Sequence, residues 1–221
     1  ARSLARGAHL KPEAITTIYN PAVPLELAHL ATQPIEHPWL APGQPPVILG
    51  VGRLHRQKDF PTLIRAFARM RKQREARLII LGTGRKADAR AELRALAESV
   101  GIANDIDLPG HVENPFAYMS RAAVFILSSA WEGFGNVIVE ALACGCPVVS
   151  TDCPSGPAEI LADGKYGRLV SVGDDAALAD AALQVLDEPR DRALLQTRAQ
   201  EFSADKATRK YLELINALIS D

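Results

Sequence analysis

Two acidic side chains, Glu132 and Glu140, flank a glycine loop that runs into an apolar stretch: Glu132-Gly133-Phe134-Gly135-Asn136-Val137-Ile138-Val139-Glu140. Glycines let a backbone come close to a ligand. Residues 136–144 read as a helix closed by Gly145. The first turn of a helix carries amide N–H groups without internal partners, a natural seat for phosphate. One element therefore offers an anion site between two carboxylates that can accept hydrogen bonds from hydroxyl groups. Glu140 sits about one turn inside the helix among Val137, Ile138, Val139, Ala141 and Leu142, so it does not read as an ordinary surface charge. Glu132 has a simpler reading too, as an acid complementing the positive end of the helix.

A second loop, residues 50–59, places Arg53 and Lys58 after a strand-like run and beside Gly52. A guanidinium fork and an ammonium suit the oxygens of a diphosphate. Spacing alone does not separate that reading from a solvated surface loop. The dinucleotide fingerprint G-x-G-x-x-G is absent here. His55 and His111 fall in loops of the same kind and read either as ligand contacts or as plain surface residues. His9, His29 and His37 carry no signal.

The elements that must position these loops follow from hydrophobic rhythm. Continuous apolar runs occur at residues 47–51, 78–81, 106–108, 124–127, 147–150 and 168–170. Runs without polar alternation suit parallel strands covered on both faces. Between them lie helical patterns: Leu63, Ile64, Phe67 and Met70 after the N-cap candidate Asp59; Ala91, Leu93, Leu96 and Val100 before Gly101; residues 136–144; and Leu178, Ala182, Val185 and Leu186. Strand–helix alternation predicts a doubly wound α/β sheet of about six parallel strands. Ligands of such sheets bind at the carboxyl ends of the strands. The loops to inspect are therefore 52–58, 82–86, 109–114, 128–136 and 152–157. Residues 2–9 read as weakly helical and 14–19 as a short strand. Residues 21–46, with seven prolines, read as an extended surface connector. Residues 191–219 read as two helices broken near Phe202 and Ser203.

Composition narrows the function. The 221 residues are 48% hydrophobic and 23% charged with a net charge of −1, so bulk charge points to no nucleic-acid partner. The three cysteines, Cys144, Cys146 and Cys153, form no CxxC pair and read as small buried residues in a reducing compartment. Residues 1–7 lack the apolar core of a secretory signal, and no apolar run in the 221 residues is of membrane length. The expected location is the cytoplasm, with peripheral attachment at the inner membrane face open for a longer protein.

Taken together, the Glu132-Gly133-Phe134-Gly135 loop, Glu140-Ala141-Leu142-Ala143-Cys144-Gly145-Cys146-Pro147 and the following Val148-Val149-Ser150-Thr151-Asp152 resemble the signature of the group 1 retaining glycosyltransferases. Gly52-Arg53-Leu54 with Lys58, the Gly82-Thr83-Gly84 turn, Gly110, and Glu159-Ile160 with Gly164 and Gly167 extend the resemblance over residues 47–186. Tyr19-Asn20-Pro21 resembles the segment that leads into the family's donor domain. Thr83 replaces a residue that is acidic in many members. Cys153-Pro154-Ser155-Gly156-Pro157 replaces paired glycines, a change resembling bacterial surface-polysaccharide enzymes.

The resemblance implies one half of a GT-B fold, a Rossmann-like donor domain. It divides the chain into a leader and connector (1–46), the donor domain (47–188) and C-terminal helices (189–221). By the same token, Arg53 and Lys58 would hold the donor diphosphate, Glu140 the ribose hydroxyls and Glu132 the transferred sugar, with Arg53, Lys58 and Glu132 carrying the catalytic work. Backbone amides of Phe134, Gly135, Asn136 and Val137 would meet sugar and distal phosphate. His111 and Val112 would face the base, and Gly52, Gly82, Thr83 and Gly84 would line the nucleotide pocket. Sugar leaves a nucleoside diphosphate, such as UDP, for an acceptor hydroxyl on a glycan or lipid-linked partner, with retained configuration. No metal or other cofactor is expected, and no Asp-x-Asp is present. The two acids act as binding groups, unlike the nucleophile and acid of a retaining glycosidase. Only 46 residues precede Val47, too few for an acceptor domain, so the reading expects a piece of a longer enzyme, inactive in transfer by itself. The rival readings are a non-catalytic nucleotide-sugar-binding module and a nucleotide-sugar epimerase of the same fold.

Overall fold

In the sheet, successive strand residues feed two separate cores. Val47, Leu49, Ile79, Leu81, Phe125 and Leu127 belong to one cluster, while Ile48, Leu78, Ile80, Val124 and Ile126 belong to the other. This is the period-two alternation of a strand buried on both faces. The computed structural model describes residue 11 and residues 15–84 and 88–220. Its strands are β1 (Val47–Val51), β2 (Arg77–Leu81), β3 (Ile106–Gly110), β4 (Val124–Leu127), β5 (Val148–Thr151) and β6 (Arg168–Val170). All pair in parallel in the order β3-β2-β1-β4-β5-β6. The order reverses between β1 and β4, which is the switch point where ligands bind in open α/β sheets.

The helices are α1 (Leu27–Thr32), α2 (Phe60–Arg71), α3 (Ala89–Ser99), α4 (Pro115–Arg121), α5 (Asn136–Ala143), α6 (Pro157–Ile160), α7 (Asp175–Asp187), α8 (Arg192–Gln200) and α9 (Ala204–Ser220). Buried residues of α2, α3 and α7 cover one face, and those of α4, α5 and α8 cover the other. Most starts are written locally. Asp59, Asn114, Asp174 and Asp191 each accept a hydrogen bond from a first-turn amide of α2, α4, α7 and α8. Such caps are worth about 1 kcal/mol each. Helix α5 is different, because its N-cap is Gly135 at φ +96° and it has no side-chain cap.

The six predicted sheet strands form, within a residue or two of their expected ends. The strand predicted at 14–19 does not form over its described part, residues 15–19, which join neither sheet edge, β3 or β6; the Tyr19 ring lies against Phe134 and Phe202 instead. Position 14 and the weakly helical 2–9 lie outside the described residues. The connector is not wholly extended: it holds α1 and a 3-10 turn at Pro38–Leu40. His37 pins that turn to β3 through Asp107 at 3.1 Å, beside Trp39 and Tyr118. The C-terminal helices do not stand apart from the sheet domain either. Leu195, Ala199 and Phe202 share a core with Phe125 and Leu142. Among the described residues, no helix is long and apolar enough to cross a membrane.

Candidate functional site

The loops leaving β1 and β4 face one another across the switch point and are laced together. The Ala130 amide donates to the Gln57 carbonyl at 2.8 Å, and the Ser128 hydroxyl donates to the Lys58 carbonyl at 2.7 Å. On this frame the Lys58 ammonium donates to Glu132 Oε1 at 2.7 Å. The two side chains are only 14% and 7% exposed. The Ser129 hydroxyl donates to the same carboxylate oxygen at 2.6 Å, and Gln57 Nε2 donates to Oε2 at 3.4 Å and to the Trp131 carbonyl at 3.0 Å. Desolvating an ion pair costs energy that only such additional hydrogen bonds offset. The arrangement therefore holds Glu132 in one orientation.

Glu140 is near the same ammonium. Burial pushes its carboxyl above the ordinary range, and the charge of Lys58 pulls it back. Lys58 thus influences both acids that the sequence singled out. The start of α5 lies between them, with Asn136 exposed and Val137 half-buried. Its first-turn amides have no side-chain cap to occupy them.

On the other side of β1 the loops are joined by backbone. Gly52 donates to Leu81 at 2.9 Å, Leu54 to Thr83 at 2.9 Å, and Gly82 to Gly110 at 2.7 Å. A Cβ on Gly82, which sits at φ +137°, would lie 1.9 Å from the Gly52 carbonyl oxygen, so only glycine fits. A depression of about 210 Å³ opens there, lined by Gly52, Arg53, Gly82, Thr83, His111 and Val112. A neighbouring one of about 250 Å³ adds His55 and Gly84 to Arg53 and Thr83. Arg53, His55 and His111 are exposed. Larger cavities, about 330 and 710 Å³, open beside residues 164–168 and between α1 and α8. Neither contains any residue that the sequence picked for chemistry.

Sequence reasoning brought Arg53, Lys58, Glu132 and Glu140 to one edge of the sheet but missed Gln57 and Ser129. Both adjoin motif residues, and their polarity beside Lys58 and Glu132 was the available signal. Lys86, at the end of an expected loop, lies outside the described residues. The three cysteines are buried, and burial pushes the Cys144 and Cys146 thiols up to about 12. Among the described residues, no group of three or more His, Cys, Asp or Glu side chains is arranged to hold a metal ion.

The family model "Glycosyl transferases group 1" matches residues 45–188. The chain is 36% identical over 172 residues to the N-acetylgalactosamine-N,N'-diacetylbacillosaminyl-diphospho-undecaprenol 4-alpha-N-acetylgalactosaminyltransferase of Campylobacter jejuni, covering 76% of this chain and 46% of that protein. The fold matches the apo lipopolysaccharide outer core galactosyltransferase WaaB with a TM-score of 0.79 at 24% identity, over 98% of this chain and 58% of that one. It also matches the pneumococcal O-GlcNAc transferase GtfA in complex with UDP and GlcNAc, with a TM-score of 0.68 at 25% identity, over 79% of this chain and 36% of that one. The chain spans about half the length of the curated relatives it matches.

Proposed function

The chain belongs to the group 1 glycosyltransferases, and on that premise we propose that it is the donor-binding half of a retaining enzyme of bacterial glycan assembly. The enzyme moves a sugar from a nucleoside diphosphate to an acceptor hydroxyl. The observation that carries this reading is the Lys58–Glu132 pair, held across the switch point beside the uncapped start of α5. An ammonium has three donors, and Glu132 takes one of them. The others are available to diphosphate oxygens. Arg53 contributes a second cation from the same loop, and amides of residues 134–137 complete the anion seat.

In this scheme the base lies against His111 and Val112, the turn Gly82-Thr83-Gly84 and Gly52 line the nucleotide pocket, Glu140 receives the ribose hydroxyls, and Glu132 receives hydroxyls of the transferred sugar. Catalysis is electrostatic: Lys58, Arg53 and the helix start stabilise the negative charge that grows on the departing diphosphate. The sugar leaves and is attacked on one face, so its configuration is retained. The partner is an acceptor half elsewhere in the longer protein, which works in the cytoplasm or at the inner membrane face on a glycan or lipid-linked acceptor. Alone, this half binds donor weakly and does not transfer.

Isothermal titration of UDP and GDP into the chain and into Glu140→Ala tests the assignment. The expected outcome is saturable binding of one of them, weakened by the substitution. If neither nucleotide binds, the reading is wrong.

A further inference from the structure

Tyr19 precedes the sheet and pairs with no strand, yet its ring reaches the Glu132-Gly133-Phe134-Gly135 loop. It stacks on Phe134 with centroids 5.1 Å apart and planes 24° apart. Phe202, between α8 and α9, closes a three-ring cluster at 5.3 Å from Tyr19 and 5.6 Å from Phe134. The Tyr19 hydroxyl donates to Glu159 on α6. Nearby, the Ala22 amide donates to the Phe202 carbonyl at 3.0 Å, and the Lys210 ammonium of α9 lies 5.7 Å from the Tyr19 ring. Arg198 of α8 donates to the Glu159 and Ile160 carbonyls at 2.7 and 2.8 Å and stands 4.9 Å from the Phe202 ring.

Phe134 is held from its backbone side as well. A Cβ on Gly156 would lie 1.6 Å from the Phe134 carbonyl oxygen. The loop itself has little local preference, because glycines flank Phe134 on both sides. Its position then comes from these two grips on Phe134, one of backbone and one of rings, together with the hydrogen bonds that hold Glu132.

We propose that Tyr19 is a positioning residue: by clamping Phe134 it sets where Glu132 and the amides of residues 134–137 stand. The segment ahead of β1 and the α8–α9 turn thereby act on the sugar-contacting loop without touching the donor. This inference rests on the donor site proposed above. It separates two parts of that site: base contacts lie around residues 52–84 and 111–112, while the clamped loop serves the diphosphate, which UDP and UDP-glucose share, and through Glu132 the transferred sugar, which UDP-glucose alone carries.

The experiment compares wild type, Tyr19→Leu and Tyr19→Phe in the 221-residue chain. Amide hydrogen exchange is read at Gly133 and Gly135, and titrations use UDP and UDP-glucose. In Tyr19→Leu, exchange at the two glycines is expected to rise about tenfold while amides of β1 and β4 keep their protection. UDP-glucose affinity falls about fivefold relative to UDP. Tyr19→Phe keeps the ring stack and restores most of both. Unchanged exchange at Gly133 and Gly135 in Tyr19→Leu, or equal weakening of UDP and UDP-glucose, overturns the proposal while leaving the donor site intact. Failure of the wild type to bind any of UDP, UDP-glucose and GDP overturns the donor site and the positioning role together.

Discussion

At the scale of single residues, the site is organised by charge taken out of water. Lys58 and Glu132 pair in near-complete burial, and Ser129 and Gln57 supply the hydrogen bonds that make this tolerable. Glu140 shares the ammonium only through space, so its burial is incompletely offset. The consequence has a definite sign. Folded Glu140 holds its proton more tightly than the ordinary value of 4.5. The folded state therefore binds the extra proton, and stability falls as pH rises from that ordinary value through the raised one. At neutral pH the buried carboxylate opposes folding. Glu140→Gln is expected to raise the melting temperature at pH 7 and to leave it unchanged below about pH 4, where both states are protonated. Calorimetry across that range checks this; an equal gain at both ends would mean that the carboxylate's charge is not the cause.

At the scale of elements, loops are positioned by places where only backbone fits. Gly82 presses on Gly52 and Gly156 on Phe134, each with no room for a methyl group and each at a positive φ. These contacts join the β2 loop to the β1 loop and the β5 loop to the β4 loop. Gly156→Ala must displace the Phe134 carbonyl and strain the φ +104° conformation. It should cost at least about 2 kcal/mol in denaturant unfolding. Much of this level was legible in sequence. Asp59 as a cap, Gly101 and Gly145 as stops, and the six sheet-strand runs depend on near neighbours, and the structure agrees with each. Helix α4 was not read, because Pro115–Arg121 is short and its pattern is weak, with its cap Asn114 the one usable sign. The expected strand at 14–19 failed for the converse reason: over its described residues the Tyr19 ring serves a side-chain cluster instead of a ladder.

At the scale of the molecule, α9 has an apolar side that the rest of the described chain leaves uncovered. Tyr211, Leu212, Ile215, Leu218 and Ile219 are between 48% and 78% exposed. An exposed stripe of this kind marks an interaction surface, and the acceptor half proposed above is its expected cover. Replacing Leu212, Ile215 and Leu218 together by Ser should leave the melting temperature of this chain within about 2 °C, since these side chains are not in its core. The same change should reduce concentration-dependent association seen by light scattering. A large drop in melting temperature would mean that α9 packs within the chain.

The sequence alone determined that the chain alternates strand and helix, which loops end on the carboxyl edge, and which residue types in them suit phosphate and hydroxyl chemistry. Those features follow from periodicity and from residues a few positions apart. Only the tertiary structure decided that Lys58 meets Glu132, that Gln57 and Ser129 hold that carboxylate, and that Tyr19 lies on Phe134. Apart from that of Ser129, three residues from Glu132, these contacts join distant parts of the chain. Those of Lys58 and Gln57 exist because β4 is laid beside β1 and not beside β3, an order set by packing the whole sheet and written in no local pattern.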